Sequence, residues 1–237
     1  MTAWPGLGLT SEEWRIVALS LRVSLAAVAV TMPLAYALAW LLARRRFPGR
    51  ILLDALIHLP LVVPPVVTGW LLLIVFGRAG PVGAWLEQAL GITLVFRWTG
   101  AALAAGIMAL PLMVRAMRLS IEAIDSRLVG AARTLGASPW RAFLSITLPL
   151  SAPGILAAAM LGFARSLGEF GATITFAANI AGETRTLPLA IYTGLQLPGA
   201  EAQVARLAII SIMLSIAALI VSELLVRRSA GGRAHVL

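Results

Sequence analysis

Cysteine is missing from this chain, and so is lysine: all 19 cationic side chains are arginine. Without cysteine there is no disulfide framework, no thiolate nucleophile and no thiolate metal site. Charge is scarce as well, at 12% of residues, where soluble domains carry about 25%. No stretch reads G-x-x-x-x-G-K-[ST], so the chain does not bind ATP through a phosphate loop. A nucleophile–base–acid constellation is also lacking. The two histidines, His58 and His235, are interfacial or terminal, and Ser24, Ser151 and Ser166 carry no cue of activation. That argues against a membrane-embedded enzyme. A cleavable signal peptide is not evident, because the first apolar run is too long for one and ends, rather than begins, with its arginines.

What the chain has is apolar length. Of its 237 residues 60% are hydrophobic, which places it among membrane proteins. A spanning helix needs about 20 mostly apolar residues, and five runs qualify: 15–42, 51–76, 99–117, 150–177 and 203–226. The net charge of +9 would suit a nucleic-acid binder, but the arginines punctuate apolar runs, so topology explains them better. Arg44, Arg45, Arg46 and Arg50, then Arg115, Arg118, Arg127, Arg133 and Arg141, then Arg227, Arg228 and Arg233 fall on one side. Arg15, Arg78, Arg97, Arg185 and Arg206 fall on the other. The richer side is cytoplasmic by the positive-inside rule, with the N-terminus outside and the C-terminus inside. The expectation is an all-α integral membrane protein, one domain over 1–237 with five spans.

Two loops and one span carry further information. Residues 118–149 form a long cytoplasmic connection. Residues 178–202, outside, hold Gly182, Pro188, Gly194, Pro198 and Gly199, and admit a short re-entrant helix around 187–195. The second span carries Pro60, Pro64 and Pro65, and reads either as a kinked packing helix or as one lining a pathway. Within the cytoplasmic connection Leu128, Ala131, Ala132 and Leu135 recur at helical spacing and make one small-residue apolar stripe. Gly136 suits a left-handed stop, and Ser138–Pro139 suits an N-cap and first turn. The stripe fits either a partner's groove or the membrane surface.

Charged residues inside apolar runs need partners. Arg165 and Glu169 stand four apart on the fourth span and share a face. They read as a packing ion pair or as part of a polar passage, with Gly168 and Gly171 loosening the helix and Phe170 placed to plug a constriction. Ser166, Thr173 and Thr175 add hydroxyls nearby. Asp54 and His58, also four apart, read as an interfacial contact or as the proton relay of a proton-driven transporter. Arg22 can snorkel to the outer interface, and Trp14, Trp70, Trp85 and Trp98 sit where aromatic belts lie.

The loop "RLVGAARTLGASPWRAFLSITLPL" (127–150) resembles the signature of permease subunits of binding-protein-dependent ABC importers. That signature reads EAA, three residues, Gly, nine residues, I-x-L-P. Ala131, Ala132, Gly136, Ile146, Leu148 and Pro149 match it, while Gly130 stands in place of the glutamate. The resemblance implies the type I importer permease fold. It also implies a coupling helix, formed by Leu128, Gly130, Ala131, Ala132, Arg133, Thr134, Leu135, Gly136, Ala137, Ser138 and Pro139, that docks on a separate ATPase subunit.

More narrowly, "ARSLGEFGATITF" followed by "GETRTLP", with "PLAYALAWLLARRRFPGR" and "LPLVVPPVVTGWLLL" upstream, resembles the molybdate permeases of that family. The cargo implied is molybdate, with tungstate close in size and charge; sulfate or thiamine would be carried by neighbouring members. A gate region at about 165–200 is implied, made by Arg165, Ser166, Glu169, Phe170, Thr173, Thr175, Asn179, Glu183 and Arg185. The implied partners are two ATPase subunits holding Mg-ATP, a molybdate-binding protein outside, a second identical permease chain and the bilayer. No cofactor is implied for this chain itself, and no nucleic acid.

Overall fold

The computed structural model describes residues 8–231, and every regular element among them is helical. Arg233 therefore lies outside the described residues. Helix α1 (Ser11–Arg44) starts from a capping box: the Thr10 hydroxyl accepts the Glu13 N–H, and the Glu13 carboxylate accepts the Thr10 N–H at 2.7 Å. It runs against α5 (Trp98–Glu122) and α8 (Leu148–Leu167), and these three make the centre of the bundle.

Small residues let them approach. In a bilayer there is little hydrophobic force between helices, so close backbone contact through Gly and Ala supplies the attraction. α5 buries Gly100, Ala101, Ala104, Ala105, Gly106 and Ala109 along one side. A Cβ on Gly106 would stand 2.5 Å from Thr31 Oγ1, and one on Gly162 would stand 2.6 Å from the Met113 sulfur. Larger side chains close the arginine-rich end of the same core, where Leu42, Met113, Met117 and Ile121 are fully buried.

Among the described residues four helices are long and apolar enough to cross a membrane: Ser11–Arg44, Trp98–Glu122, Pro139–Leu167 and Glu201–Val221. The second expected span differs from expectation. α2 (Arg50–Val62) and α3 (Pro65–Phe76) meet at 117°, as a broken span or a re-entrant pair, rather than forming one kinked helix over 51–76. Proline disfavours the helical angle in the residue before it, and two prolines in succession do so twice. Val63 precedes Pro64, and Pro64 precedes Pro65, so two successive residues are extended, with ψ of 138° and 134°. Pro60, by contrast, is carried inside α2.

The fourth expected span also ends sooner. α8 stops at Leu167, and a separate helix α9 (Gly171–Phe176) follows, after which come α10 (Leu187–Leu195) and the long α11 (Glu201–Gly231). The short helix anticipated at 187–195 is α10. α3 packs on α9, while α11 packs on α8 and α10. Gly69 and Gly171 make the α3–α9 contact: a Cβ on Gly69 would meet the Ala172 carbonyl oxygen at 2.7 Å, and one on Gly171 would meet Pro65 at 2.7 Å. Between α1 and α11, a buried ion pair joins segments far apart in the sequence. Glu13, fully buried, accepts from Arg206 Nε and Nη2 at 2.8 Å.

The remaining elements are α4 (Pro81–Leu90), α6 (Ser126–Thr134) and α7 (Pro139–Ala142). Between α7 and α8 lies a five-residue π-helical segment, Phe143–Thr147. Its bond from the Leu148 N–H to the Phe143 carbonyl spans five residues. Pro149 explains the widening, since a proline has no N–H to give and its ring crowds the carbonyl four residues back.

Candidate functional site

The arginine-rich end presents the first candidate surface. Asp125 caps α6 by accepting the Arg127 N–H at 2.9 Å. Leu135 leaves the helix and Gly136 turns it with φ +90°, a conformation glycine adopts without penalty. Ser138 then caps α7 by accepting the Arg141 N–H at 3.2 Å, with Pro139 in the first turn. These are the stop and start signals legible in the sequence.

The apolar stripe on α6 is largely uncovered by the described residues. Leu128, Ala131 and Leu135 are exposed, Leu135 at 89%, and Ala132 is half-buried. Gly130, Arg133, Thr134 and Ser138 are exposed too, and Ala137 is half-buried. α7 is tied to the bundle by aromatic contacts. Trp140 stacks on Phe143 with ring centroids 5.4 Å apart. Phe143 meets Tyr36 and Trp40 of α1 edge-on at 6.0 and 6.3 Å. The Tyr36 hydroxyl lies 3.0 Å from Ser151 Oγ on α8. These contacts join the loop to α1 and α8 together.

The second candidate surface lies where α8 ends. Arg165 Nη1 stands 2.5 Å from Glu169 Oε2, and the other oxygen of Glu169 accepts the Ala172 N–H at 2.8 Å. Glu169 is 3% exposed. Its carboxylate competes with the helix: by binding the amide of the following helix it fixes the break between α8 and α9. Ser166 is buried, and its hydroxyl has no hydrogen-bond partner among the described residues. Thr173 is buried as well, whereas Thr175 donates to the Gly171 carbonyl at 2.9 Å. The Phe170 ring lies 5.0 Å from that of Tyr192 on α10.

The other expected residues of this region form a separate network. Asn179 donates to Thr193 Oγ1 at 2.7 Å and accepts from Arg185 Nε at 3.0 Å. Arg185 lies 3.9 Å from Glu12 and lines a pocket of about 430 Å³ with Arg15. Glu183 accepts the Trp98 N–H at 3.4 Å and so sits on the first turn of α5. The nine residues thus fall into an Arg165–Glu169 group, a Phe170–Tyr192 contact, an Asn179–Arg185 group, and Glu183 at α5. Arg22, expected at the interface, places its guanidinium 3.8 Å from the centroid of Trp98.

Asp54 and His58 belong to a larger cluster. Arg118 bridges Asp54 at 3.1 Å and Glu122 at 2.8 Å, while His58 Nδ1 lies 2.8 Å from the Asp54 carbonyl oxygen. The cluster fastens α2 to α5. Sequence reasoning missed Glu13–Arg206, whose partners are 193 residues apart, and it missed the α1 aromatics that hold Phe143. No spacing rule finds the first. For the second, the signal was four aromatic residues near the two arginine-rich span ends.

Comparison with known proteins agrees with this architecture. Residues 31–231 match the family described as binding-protein-dependent transport system inner membrane component. The chain is 57% identical over 221 residues to the molybdenum transport system permease protein ModB of Escherichia coli K12, covering 93% of this chain and 96% of that one. It is 56% identical over 216 residues to the protein of the same name from Haemophilus influenzae, covering 91% and 94%. A solved bacterial ABC transporter involved in the import of alginate superposes with a TM-score of 0.71 at 18% identity, covering 93% of this chain and 80% of that chain.

Proposed function

The chain belongs to the family of binding-protein-dependent transport system inner membrane components, and from that premise we propose that it is the membrane-spanning subunit of an ATP-driven molybdate importer. The carrying observation is the identity, above half, to a molybdenum permease across nearly the whole of both chains.

In this reading two copies of the chain surround the pathway, with N-termini outside, and two separate ATPase subunits sit at the arginine-rich end. The outward stripe of Leu128, Ala131, Ala132 and Leu135 seats in a groove of each ATPase. The residues from Arg133 to Pro139 set the shape of that contact through the Gly136 turn and the Ser138 cap. ATP binding draws the ATPases together, and the Trp140–Phe143–Tyr36 contacts carry the movement into α1 and α8. The bundle then switches from inward- to outward-facing, and hydrolysis resets it. Two ligands, nucleotide below and the loaded binding protein above, bias one bistable element.

At the outer end the Arg165–Glu169 pair, Ser166 and Thr173 supply hydrogen-bond donors in a mild field, because the cation is neutralised by its neighbour. A transported oxyanion must enter and leave again, so weak holding suits a pathway. Selection of the tetrahedral dianion then rests on the external binding protein. Phe170 against Tyr192 supplies an apolar constriction between α9 and α10.

Proteoliposomes holding the permease, its ATPase and the molybdate-binding protein test the reading. Uptake of labelled molybdate is expected to need ATP, to resist an uncoupler and to be competed by tungstate. Uptake that survives ATP removal and collapses with the uncoupler would instead favour a proton-driven carrier using Asp54 and His58. Uptake of sulfate in preference to molybdate would overturn the cargo.

A further inference from the structure

We propose that the pocket between Trp40, Arg44, Arg45, Val129, Arg133 and Phe143 seats the headgroup of an anionic phospholipid. The pocket holds about 470 Å³, within the range of about 300–1,000 Å³ typical of ligand sites. Three guanidinium groups line it and no carboxylate does. A cavity so charged calls for an anion.

Its cations are held ready. Arg44 Nη2 donates to the carbonyl oxygens of Ile121, in the last turn of α5, and of Ile124, just beyond it, at 2.9 and 3.1 Å, so its head is held in place by backbone with no carboxylate against it. The Arg45 guanidinium lies over the Trp40 ring, 5.7 Å from its centroid. Arg133 makes no ion pair among the described residues and is exposed.

Depth decides what the anion is. The floor of the pocket comes from the end of one candidate span, at Trp40 and Arg44, and from the start of another, at Phe143 and Thr147. That is the level at which tryptophan and arginine meet lipid phosphate, and basic pockets between helix ends are known headgroup sites. A protein carboxylate reaching that floor would have to enter the bilayer interface, where phospholipid already stands. The outward stripe of α6 remains free for a protein partner.

Native mass spectrometry of the purified transporter complex, titrated with phosphatidylglycerol, with phosphatidylcholine and with inorganic phosphate, tests the assignment. Phosphatidylglycerol is expected to bind selectively at one copy per permease chain. Arg45→Glu and Arg133→Ala should each weaken it about fivefold or more, the effect of one surface cation on anionic lipid. Arg46→Glu, whose exposed side chain does not line the pocket, should change it less than about twofold. The titration of the unaltered complex stands even where a variant fails to assemble. Equal binding of phosphatidylcholine, or undiminished binding by Arg45→Glu, overturns the proposal. Displacement of phosphatidylglycerol by an equal concentration of inorganic phosphate also overturns it and assigns a free-phosphate site. Loss of the ATPase from Arg45→Glu with lipid binding intact overturns it in favour of a protein interface.

Discussion

Glu169 holds the Arg165 guanidinium with one carboxylate oxygen, at 2.5 Å, and the Ala172 amide with the other, at 2.8 Å. One buried side chain therefore holds an amide in the first turn of α9 and neutralises the cation in the last turn of α8. Packing and passage predict different outcomes for this pair. Arg165→Ala strands a buried carboxylate and should take up much of the about 3–5 kcal/mol such a loss costs. The double variant Arg165→Met, Glu169→Gln removes both charges and should regain most of the thermal stability in detergent. If the pair serves the pathway, molybdate uptake stays reduced about tenfold or more in the double variant; recovery of uptake along with stability would assign it to packing.

The α6 stripe predicts the opposite combination. Leu135 is 89% exposed, so Leu135→Asp should shift unfolding by no more than about 0.5 kcal/mol. Retention of the ATPase in mild detergent should fall about tenfold, as for an anchor at the centre of an interface. Co-purification of the two subunits, measured beside a thermal melt, checks both halves.

Glu13 predicts a stability effect without a transport role. It is fully buried and bound to Arg206, and it completes the capping box of α1. Glu13→Ala should cost about 3 kcal/mol or more, since Arg206 loses its counter-charge and Thr10 its reciprocal bond. Glu12→Ala removes a mostly exposed carboxylate 3.9 Å from Arg185 and should cost less than about 1 kcal/mol. Paired melts of the two variants measure the contrast.

Gly69 predicts a steric effect. A methyl group there would meet Ala172 and Thr175 at 2.7 and 2.8 Å. Gly69→Ala should cost about 1–3 kcal/mol by forcing α3 from α9. Because α9 follows directly on the Glu169 capping contact, transport per folded complex should fall with it. A cross-link between cysteines placed on α3 and α9 would report the separation.

The local signals of this fold were legible. Gly136, Ser138, Pro139 and the helix at 187–195 each stand where their turn chemistry put them, because caps and stops depend on a few neighbouring residues. The arrest of α8 was half-legible: Gly168 and Gly171 marked a loose place, but a carboxylate capping the next helix is a choice between competing amides that periodicity does not weigh. The break at Pro64 was present in the letters, since consecutive prolines constrain two residues rather than one. The Arg206–Glu13 pair and the aromatic seat of Phe143 join distant segments, and for those the chain must first be folded.

The corner between α2 and α3 is drawn by covalent rings, not by neighbours. Two pyrrolidines in succession withhold two amide hydrogens and disfavour the helical angle at the residue ahead of each, so a straight helix here would lack two of its hydrogen bonds. The rings favour that elbow in whatever shape the bundle takes. The halves on either side must swing as one bracket, and the flexing is left to the glycine-lined seams around them.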